Sequence, residues 1–437
     1  MTEAPLTVDD VRGIWPILST NERVEAFQQV ERAESGTFFL GLSAHEQVEI
    51  LLSLPRGERR LWFRLLPPDD TADVVQHAPD DEREGLLELL DPPTRRAGSA
   101  PLAYAEDAAG GLMSPRFARL RPEMSVGEAI RYLQRQAQEK LETIYYAYVL
   151  DREQRLCGVV SFRDLFSAQP GKSIAEVMRT EVVSVPDTME DEEVARVIAR
   201  HNLDALPVVD EDGRMKGIVT IDDIVHVVQE AATEDIQKLG GMEALETPYM
   251  QTRLVDMIKK RAGWLSALFL GELLTASAMA HYEDRIARAV VLALFLPLIM
   301  SSGGNSGGQA TTLIIRAMAL GEITMGDWWR IVRRELTAGL ALGIILATIG
   351  AVRVVAWQGL FHSYGEHYLL VAATVATSLV GVVTWGTLAG SMLPFVIRRF
   401  GFDPASASAP FVATLVDVTG LIIYFNAAEL VLGGSLL

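Results

Sequence analysis

One carboxylate stands inside a long apolar run close to the C-terminal end: Asp417, in PFVATLVDVTGLIIYF. A charged side chain at the centre of a bilayer costs about 2.5–3.5 kcal/mol even on the lenient insertion scale, so such a residue faces a pathway or a partner. Thr414, one turn earlier, puts a hydroxyl on the same side. A second polar stretch, SSGGNSGGQ at 301–309, interrupts another apolar run. Its four glycines predict irregular backbone with carbonyls turned to a pore, since such backbone is tolerated at membrane depth only where it is buried or lines water. Pro297 marks a break just before it. A seam of small residues between packed helices is the competing reading. Asn305 and Gln309 offer amide oxygens, whereas Glu272 and Glu429 read as structural or rim positions. No His or Cys stands mid-run, and an all-oxygen donor set suits a hard cation. One carboxylate among amides and hydroxyls fits hydrated Mg²⁺, and the same set could serve Ca²⁺, Mn²⁺ or, less well, Na⁺.

These residues need a membrane domain to hold them. Five apolar stretches run over 263–280, 289–315, 336–352, 368–397 and 404–435. Each is near the ~20 residues that cross a bilayer as a helix. Lys259, Lys260 and Arg261 precede the first, Arg330, Arg333 and Arg334 separate the second from the third, and Arg398 and Arg399 precede the fifth. The alternate loops carry only Arg285, Arg288 and Arg353. The excess of positive loops predicts a cytoplasmic N-terminus and an external C-terminus in the cell's plasma (inner) membrane, crossed several times. No cleavable signal peptide is visible at the N-terminus.

Charge divides the 437 residues unevenly. Residues 251–437 carry a net charge of +2 and residues 1–250 a net of −20. An overall −18 argues against a nucleic-acid partner, and the single Cys157 excludes an intrachain disulfide or a cysteine-built zinc site. Mean hydropathy of +0.20 is high for a soluble enzyme. No GxxxxGK[ST] stretch or phosphorylation loop is present, so an ATP-driven pump is not indicated and the chain reads as a non-enzyme.

The acidic half reads in three parts. Residues 1–115 hold short amphipathic segments punctuated by Pro55, Pro67, Pro79 and Pro92, which predict a helical superhelix. Residues 116–227 contain a repeat: VLDREQRLCGVVSFRDL at 149–165 matches VVDEDGRMKGIVTIDDI at 208–224 at a constant offset of 59. Each copy reads strand, turn, strand, helix start, with a hydroxyl and an Asp placed to cap that helix. The pattern resembles a pair of CBS domains. That resemblance implies a site for an adenine nucleotide such as ATP at Thr220, Asp222 and Asp223, with plain helix capping as the alternative. Residues 228–258 read as one long connecting helix into the first span, with Glu230 and Glu234 stacked on one face.

The whole chain resembles the MgtE family of magnesium channels. The match is carried by YAEDAAGGLM at 104–113, by residues 230–236, and above all by GGNSGGQATTLIIRAMALGE in the second span. The resemblance implies a multidomain membrane protein: an all-α superhelical N-domain, an α/β CBS pair, a connecting "plug" helix, and an all-α five-helix transmembrane domain over 259–437. It implies a homodimer with a central pore built from spans two and five, and Asp417 in the position of the ion-selecting acid. Gly304, Asn305, Gln309, Thr312, Ala413 and Thr414 are the other pore candidates. It further implies that cytoplasmic Mg²⁺ shuts the pore by binding acids of the soluble half: Asp69, Asp73, Glu190, Glu192, Asp223, Glu230, Glu234 and Asp235. The family pattern carries acids near positions that here hold Asn202, His226 and Ala231, which implies fewer such sites. A net of −20 stores self-repulsion that bound cations would relieve.

Two rival readings remain at this level. One is a cation antiporter that uses Asp417 as an exchange site. The other is a non-transporting CBS-based sensor whose spans only anchor it, although an anchor needs neither GGNSGGQ nor Asp417. Chloride channels bearing CBS domains carry more spans and place the pair after them.

Overall fold

The computed structural model describes residues 7–433 apart from 32, 106, 137–140, 142, 144, 246–248, 251 and 289. Glu106 of the 104–113 stretch, residue 289 of the expected second span, residues 434–435 of the expected fifth span and both chain ends lie outside the described residues. The chain forms two compact units, Met1–Ala231 and Ala232–Leu437.

Short helices fill the first part of unit one because prolines end each one and start the next. Pro55, Pro67 and Pro79 are N-caps, and Pro92 is the first residue of its helix. At three of these boundaries an arginine four residues after the N-cap reaches back to the previous helix. Arg59 donates to Leu54 O and Leu52 O, Arg83 to Ala78 O and Gln76 O, and Arg95 to Leu90 O and Glu88 O. These are the carbonyls that a helix end leaves unpaired, so each arginine fixes the angle between successive helices. Phe27, Phe38, Phe39 and Phe63 pack between the layers.

The repeat folds as two three-stranded sheets. Tyr146–Leu150 pairs antiparallel with Leu156–Ser161, and Ala205–Val209 with Met215–Thr220, in the same register. Gly158 and Gly217 occupy equivalent places where another backbone crosses closely. A Cβ on Gly158 would come within 2.8 Å of Arg179 O, and one on Gly217 within 2.7 Å of Ser114 O. Arg155 and Arg214, related by the repeat, lie opposite each other in a bridge, so the copies face one another about a pseudo-twofold axis.

The connecting helix runs Ile221–Leu239, not 228–258. Gly240 and Gly241 end it, Gly241 with a left-handed φ of 73°, and the next helix begins only at Leu254. Helical periodicity on both sides of this turn hides it in the sequence.

Unit two contains five apolar helical segments of membrane-spanning length: Leu254–His281, Val290–Ala319, Met325–Phe361, Tyr368–Arg399 and Ala409–Leu432. Span one starts earlier than expected, span two ends later and span three extends at both ends, whereas span four keeps nearly its expected bounds and span five starts later. Spans two, three and four meet backbone to backbone. A Cβ on Gly339 would lie 2.9 Å from Thr384 Cα, one on Gly343 2.9 Å from Val380 Cα, and one on Gly307 2.9 Å from Gly386 O. Where lipid is as apolar as leucine, such close packing is what joins helices. The first span buries none of its residues in one chain.

Candidate ion pathway

The glycine-rich stretch of span two is regular helix, contrary to the irregular backbone expected from it. A single α-helix runs Leu296–Ala319 through 301–309, and the break lies ahead of it, where Pro297 sits in the first turn. Each glycine costs about 1 kcal/mol of helix propensity against alanine. Breaking the helix inside a membrane would cost more, because each exposed amide loses several kcal/mol. Gly303, Gly304 and Gly307 are buried, and they form the seam of small residues. A Cβ on Gly303 would come within 2.7 Å of Val416 Cγ1, and one on Gly304 within 3.3 Å of Ala413 Cβ. Hydroxyls satisfy the carbonyls at this level: Thr311 Oγ1 lies 2.9 Å from Gly307 O and 2.8 Å from Gly390 O.

The opposite face of the same helix is polar. Ser301, Asn305, Gln309 and Thr312 follow one another at helical spacing and are exposed in the single chain. Asn305 donates to Ser301 Oγ at 3.3 Å, and Thr312 Oγ1 donates to Gly308 O at 2.9 Å. Leu313 and Leu320 share its solvent-accessible side, so the polar stripe is narrow.

Asp417 lies half-buried on span five, with Ala413 and Thr414 one turn before it. Thr414 Oγ1 is 3.1 Å from Pro410 O and 3.4 Å from Glu272 Oε1. The Glu272 carboxyl also lies beside that of Asp417. Glu272 is therefore no rim residue. Its burial cost in an apolar span was the same signal that singled out Asp417. Glu429 is a rim residue: its Oε2 pairs with Arg285 Nη1 at 2.7 Å, and Arg285 lies over the Tyr282 ring.

In unit one the acids gather at two places. Asp223 opens the connecting helix, accepting from Thr220 N at 3.0 Å and Thr220 Oγ1 at 2.7 Å. Burial pushes its carboxyl up to about 7; the Thr220 hydrogen bonds oppose this, and the charges of Asp222 and of Asp70 add to it. Asp70, on the N-domain helix Pro68–His77, thus lies within electrostatic reach of the start of the connecting helix; the sequence reading passed over it between Asp69 and Asp73. Asp69 is buried and Asp73 half-buried on that helix. At the second place Asp191 N donates to Asp107 O at 2.9 Å. Burial holds the Asp191 carboxyl above its ordinary value; a backbone hydrogen bond from Glu192 opposes this, and the charges of Glu192, Asp107 and Glu230 add to it. Glu190 bridges to Ala108 beside them. Asp107 lies within the YAEDAAGGLM stretch but was not singled out as a ligand, and Asp191 carries no motif of its own; the docking of Ala109 N on Met189 O and of Gly110 N on Asp187 O brings them together.

Thr220 and Asp223 hydrogen-bond each other, as Ser161 and Asp164 do in the first copy at 2.7 Å. Both are helix caps in this structure, and Asp222 stays exposed beside them. In unit two Glu234 and Asp235 lie on the last turns of the connecting helix, where Glu234 pairs with Lys238.

Family models match most of the chain. Residues 296–427 match MgtE, described as a divalent cation transporter; residues 6–107 match the MgtE intracellular N domain; and residues 109–171 and 174–230 each match a CBS domain. The chain is 44% identical over 347 residues to the magnesium transporter MgtE of Thermus thermophilus, covering 79% of this chain and 75% of that protein. It is 34% identical over 330 residues to the magnesium transporter MgtE of Enterococcus faecalis, covering 75% and 70%. Among solved structures, the cytosolic domain of the Mg²⁺ channel MgtE in complex with ATP aligns with a TM-score of 0.47 at 40% identity, covering 51% of this chain and 90% of that one.

Proposed function

Because this chain belongs to the MgtE family of divalent cation transporters, we propose that it carries Mg²⁺ across the membrane as a channel and is closed by Mg²⁺ on its cytoplasmic side. The observation that carries the reading is the polar stripe of span two. Ser301, Asn305, Gln309 and Thr312 are exposed at membrane depth; Asn305 and Thr312 each make one hydrogen bond within the helix, but lipid would leave the remaining amide groups of Asn305 and Gln309 unsatisfied. A second copy of the chain that faces this stripe would enclose it, which supports a homodimer with the pore between two spans two and two spans five. Gly304 and Ala413 hold those spans close, and Asp417 with Thr414 supplies the charged and hydroxyl oxygens. Mg²⁺ gives up its water reluctantly and binds through few carboxylates, so amides and hydroxyls would meet its waters while Asp417 sets the charge.

Closure is a separate step. Two states must bind Mg²⁺ differently for the ion to shift their balance. Acids from three parts of unit one lie within electrostatic reach of one another around Asp223, with Asp70 and Asp222, and around Asp191, with Asp107, Glu192 and Glu230, although no three acids among the described residues are grouped closely enough to hold a metal ion in this arrangement. A divalent cation at either place relieves repulsion only while the parts stay together, so it favours the compact arrangement. Asp69, Asp73 and Glu190 would serve as further ligands within unit one, and Glu234 and Asp235 would form a separate candidate on the last turns of the connecting helix. ATP at the CBS pair would engage Thr220 and Asp222, with Asp223 released from its cap.

Purified protein in liposomes should pass Mg²⁺, with unitary currents in symmetric Mg²⁺. Asp417→Ala should abolish the flux while the protein stays folded. Saturable flux that needs a counter-cation would favour exchange instead, and wild-type conduction by Asp417→Ala would remove this residue from the pore.

A further inference from the structure

The first span is the least buried of the five, yet it makes one intimate contact. A Cβ on Gly271 would come within 2.6 Å of Thr414 Cγ2, so only a residue without a side chain lets span one lie this close to span five. That approach sets the next residue, Glu272, against the two polar positions of span five. Its Oε1 is 3.4 Å from Thr414 Oγ1, and its carboxyl faces Asp417. Glu272 also lines, with Ala413 and Thr414, the end of a groove of about 800 Å³ between the two spans.

We propose that Glu272 is a specificity-determining residue for transport, a second carboxylate that acts with Asp417 on the same passing cation. The proposal rests on the reading of Asp417 as the ion-selecting acid. Two facing carboxylates at membrane depth repel each other strongly, because the medium screens them poorly. A divalent ion balances both charges; a monovalent ion balances one and leaves the other uncompensated. Two acids in place of one therefore widen the preference for divalent over monovalent cations. They also slow release of the ion, so affinity rises as throughput falls. Mg²⁺ commonly accepts two carboxylates while keeping most of its waters, so the pair suits it chemically. Span one supplies the second acid, which ties ion selection to a helix outside the glycine seam.

The test is Mg²⁺ influx by the full chain in liposomes, read with an internal Mg²⁺ dye over a concentration series, with and without competing Na⁺. Glu272→Gln should raise the half-saturating Mg²⁺ concentration about tenfold, equivalent to ~1.4 kcal/mol. It should keep or raise the maximal rate and let Na⁺ block. Glu272→Asp retains the charge and should restore the ion preference, with half-saturation only about threefold above wild type. A purely structural glutamate would lower yield or maximal rate and leave half-saturation and Na⁺ sensitivity alone; that result, with Asp417→Asn inactive, overturns the proposal and leaves Asp417 in place. Asp417→Asn conducting like wild type overturns the underlying reading and this one with it. Should Glu272→Gln fail to fold, Glu272→Ala, which also removes the charge, takes its place, and wild-type half-saturation and Na⁺ response in that variant would refute the pairing.

Discussion

Lys238 Nζ lies 2.5 Å from Asp403 Oδ2 and pairs also with Glu234, so one ammonium ties the last turn of the connecting helix to the loop ahead of span five. The loop is short: Asp403 caps a single turn at Pro404–Ser406, and Ser408 caps span five itself. A pull on the connecting helix therefore reaches Asp417 through two caps. Lys238→Met should change stability by less than about 1 kcal/mol, since the groups are partly exposed. It should nonetheless shift the Mg²⁺ concentration at which flux closes. Closure at the wild-type concentration, measured in liposomes, would show that the tie does not transmit.

The glycine seam makes a sharper stability prediction. A Cβ at Gly390 would run into the carbonyl of Gly307, backbone that cannot swing away. Gly390→Ala should lower stability by about 1–3 kcal/mol through overpacking. Gly359→Ala, where nothing lies within 4 Å, should be neutral or stabilising by up to ~1 kcal/mol. Thermal unfolding in detergent compares the two.

Acid should stabilise the soluble half when divalent cations are absent. The folded Asp223 carboxyl sits at about 7, against about 3.9 in an unfolded chain. The folded form thus holds its proton more tightly, so this group's contribution is full below pH ~4, fades as pH rises to about 7, and is absent above. Unfolding in chelator should occur at a higher temperature at pH 6 than at pH 8. Asp223→Asn should reduce that difference without removing it, because Asp191 shifts in the same direction. Added Mg²⁺ should stabilise most at pH 8, where no proton competes. A pH-independent melting temperature would count against the acid grouping.

Orientation can be read with a reporter fused after Leu437. The positive-inside rule applied to the arginine and lysine loops predicts that this end is outside, so activity is expected only beyond the cytoplasm. Cytoplasmic activity would sink the five-span arrangement.

Composition and pattern carried most of the fold. Apolar runs marked the spans, the 59-residue offset marked the repeat, and regular prolines marked the superhelix. What escaped depends on contacts between distant segments. The same GGNSGGQ letters suit a broken helix or a tight seam, and only the neighbours decide: Gly386 and Gly390 of span four, Val412 and Ala413 of span five. Glu272 looked marginal because the glycine that brings it to Thr414 has meaning only beside Thr414. Asp70 and Asp191 are ordinary surface letters, and Asp107 only one letter of the YAEDAAGGLM stretch, until the N-domain docks on the second repeat. The end of the connecting helix was hidden for a different reason: its Gly240-Gly241 stop lies inside a pattern that resumes as helix at Leu254.

Backbone contact across spans two, three and four has a consequence for movement. Those three helices touch through main-chain atoms at Gly307, Gly339 and Gly343, whereas span five meets span two at Gly303 and Gly304 through the methyl groups of Val416 and Ala413. Methyl groups slide over one another more readily than main chain wedged against main chain. Spans two, three and four should then behave as a fixed frame, with spans one and five as the sliding members that widen or narrow the passage. A chemical crosslink between spans two and five should arrest transport, and one between spans two and four should leave it running.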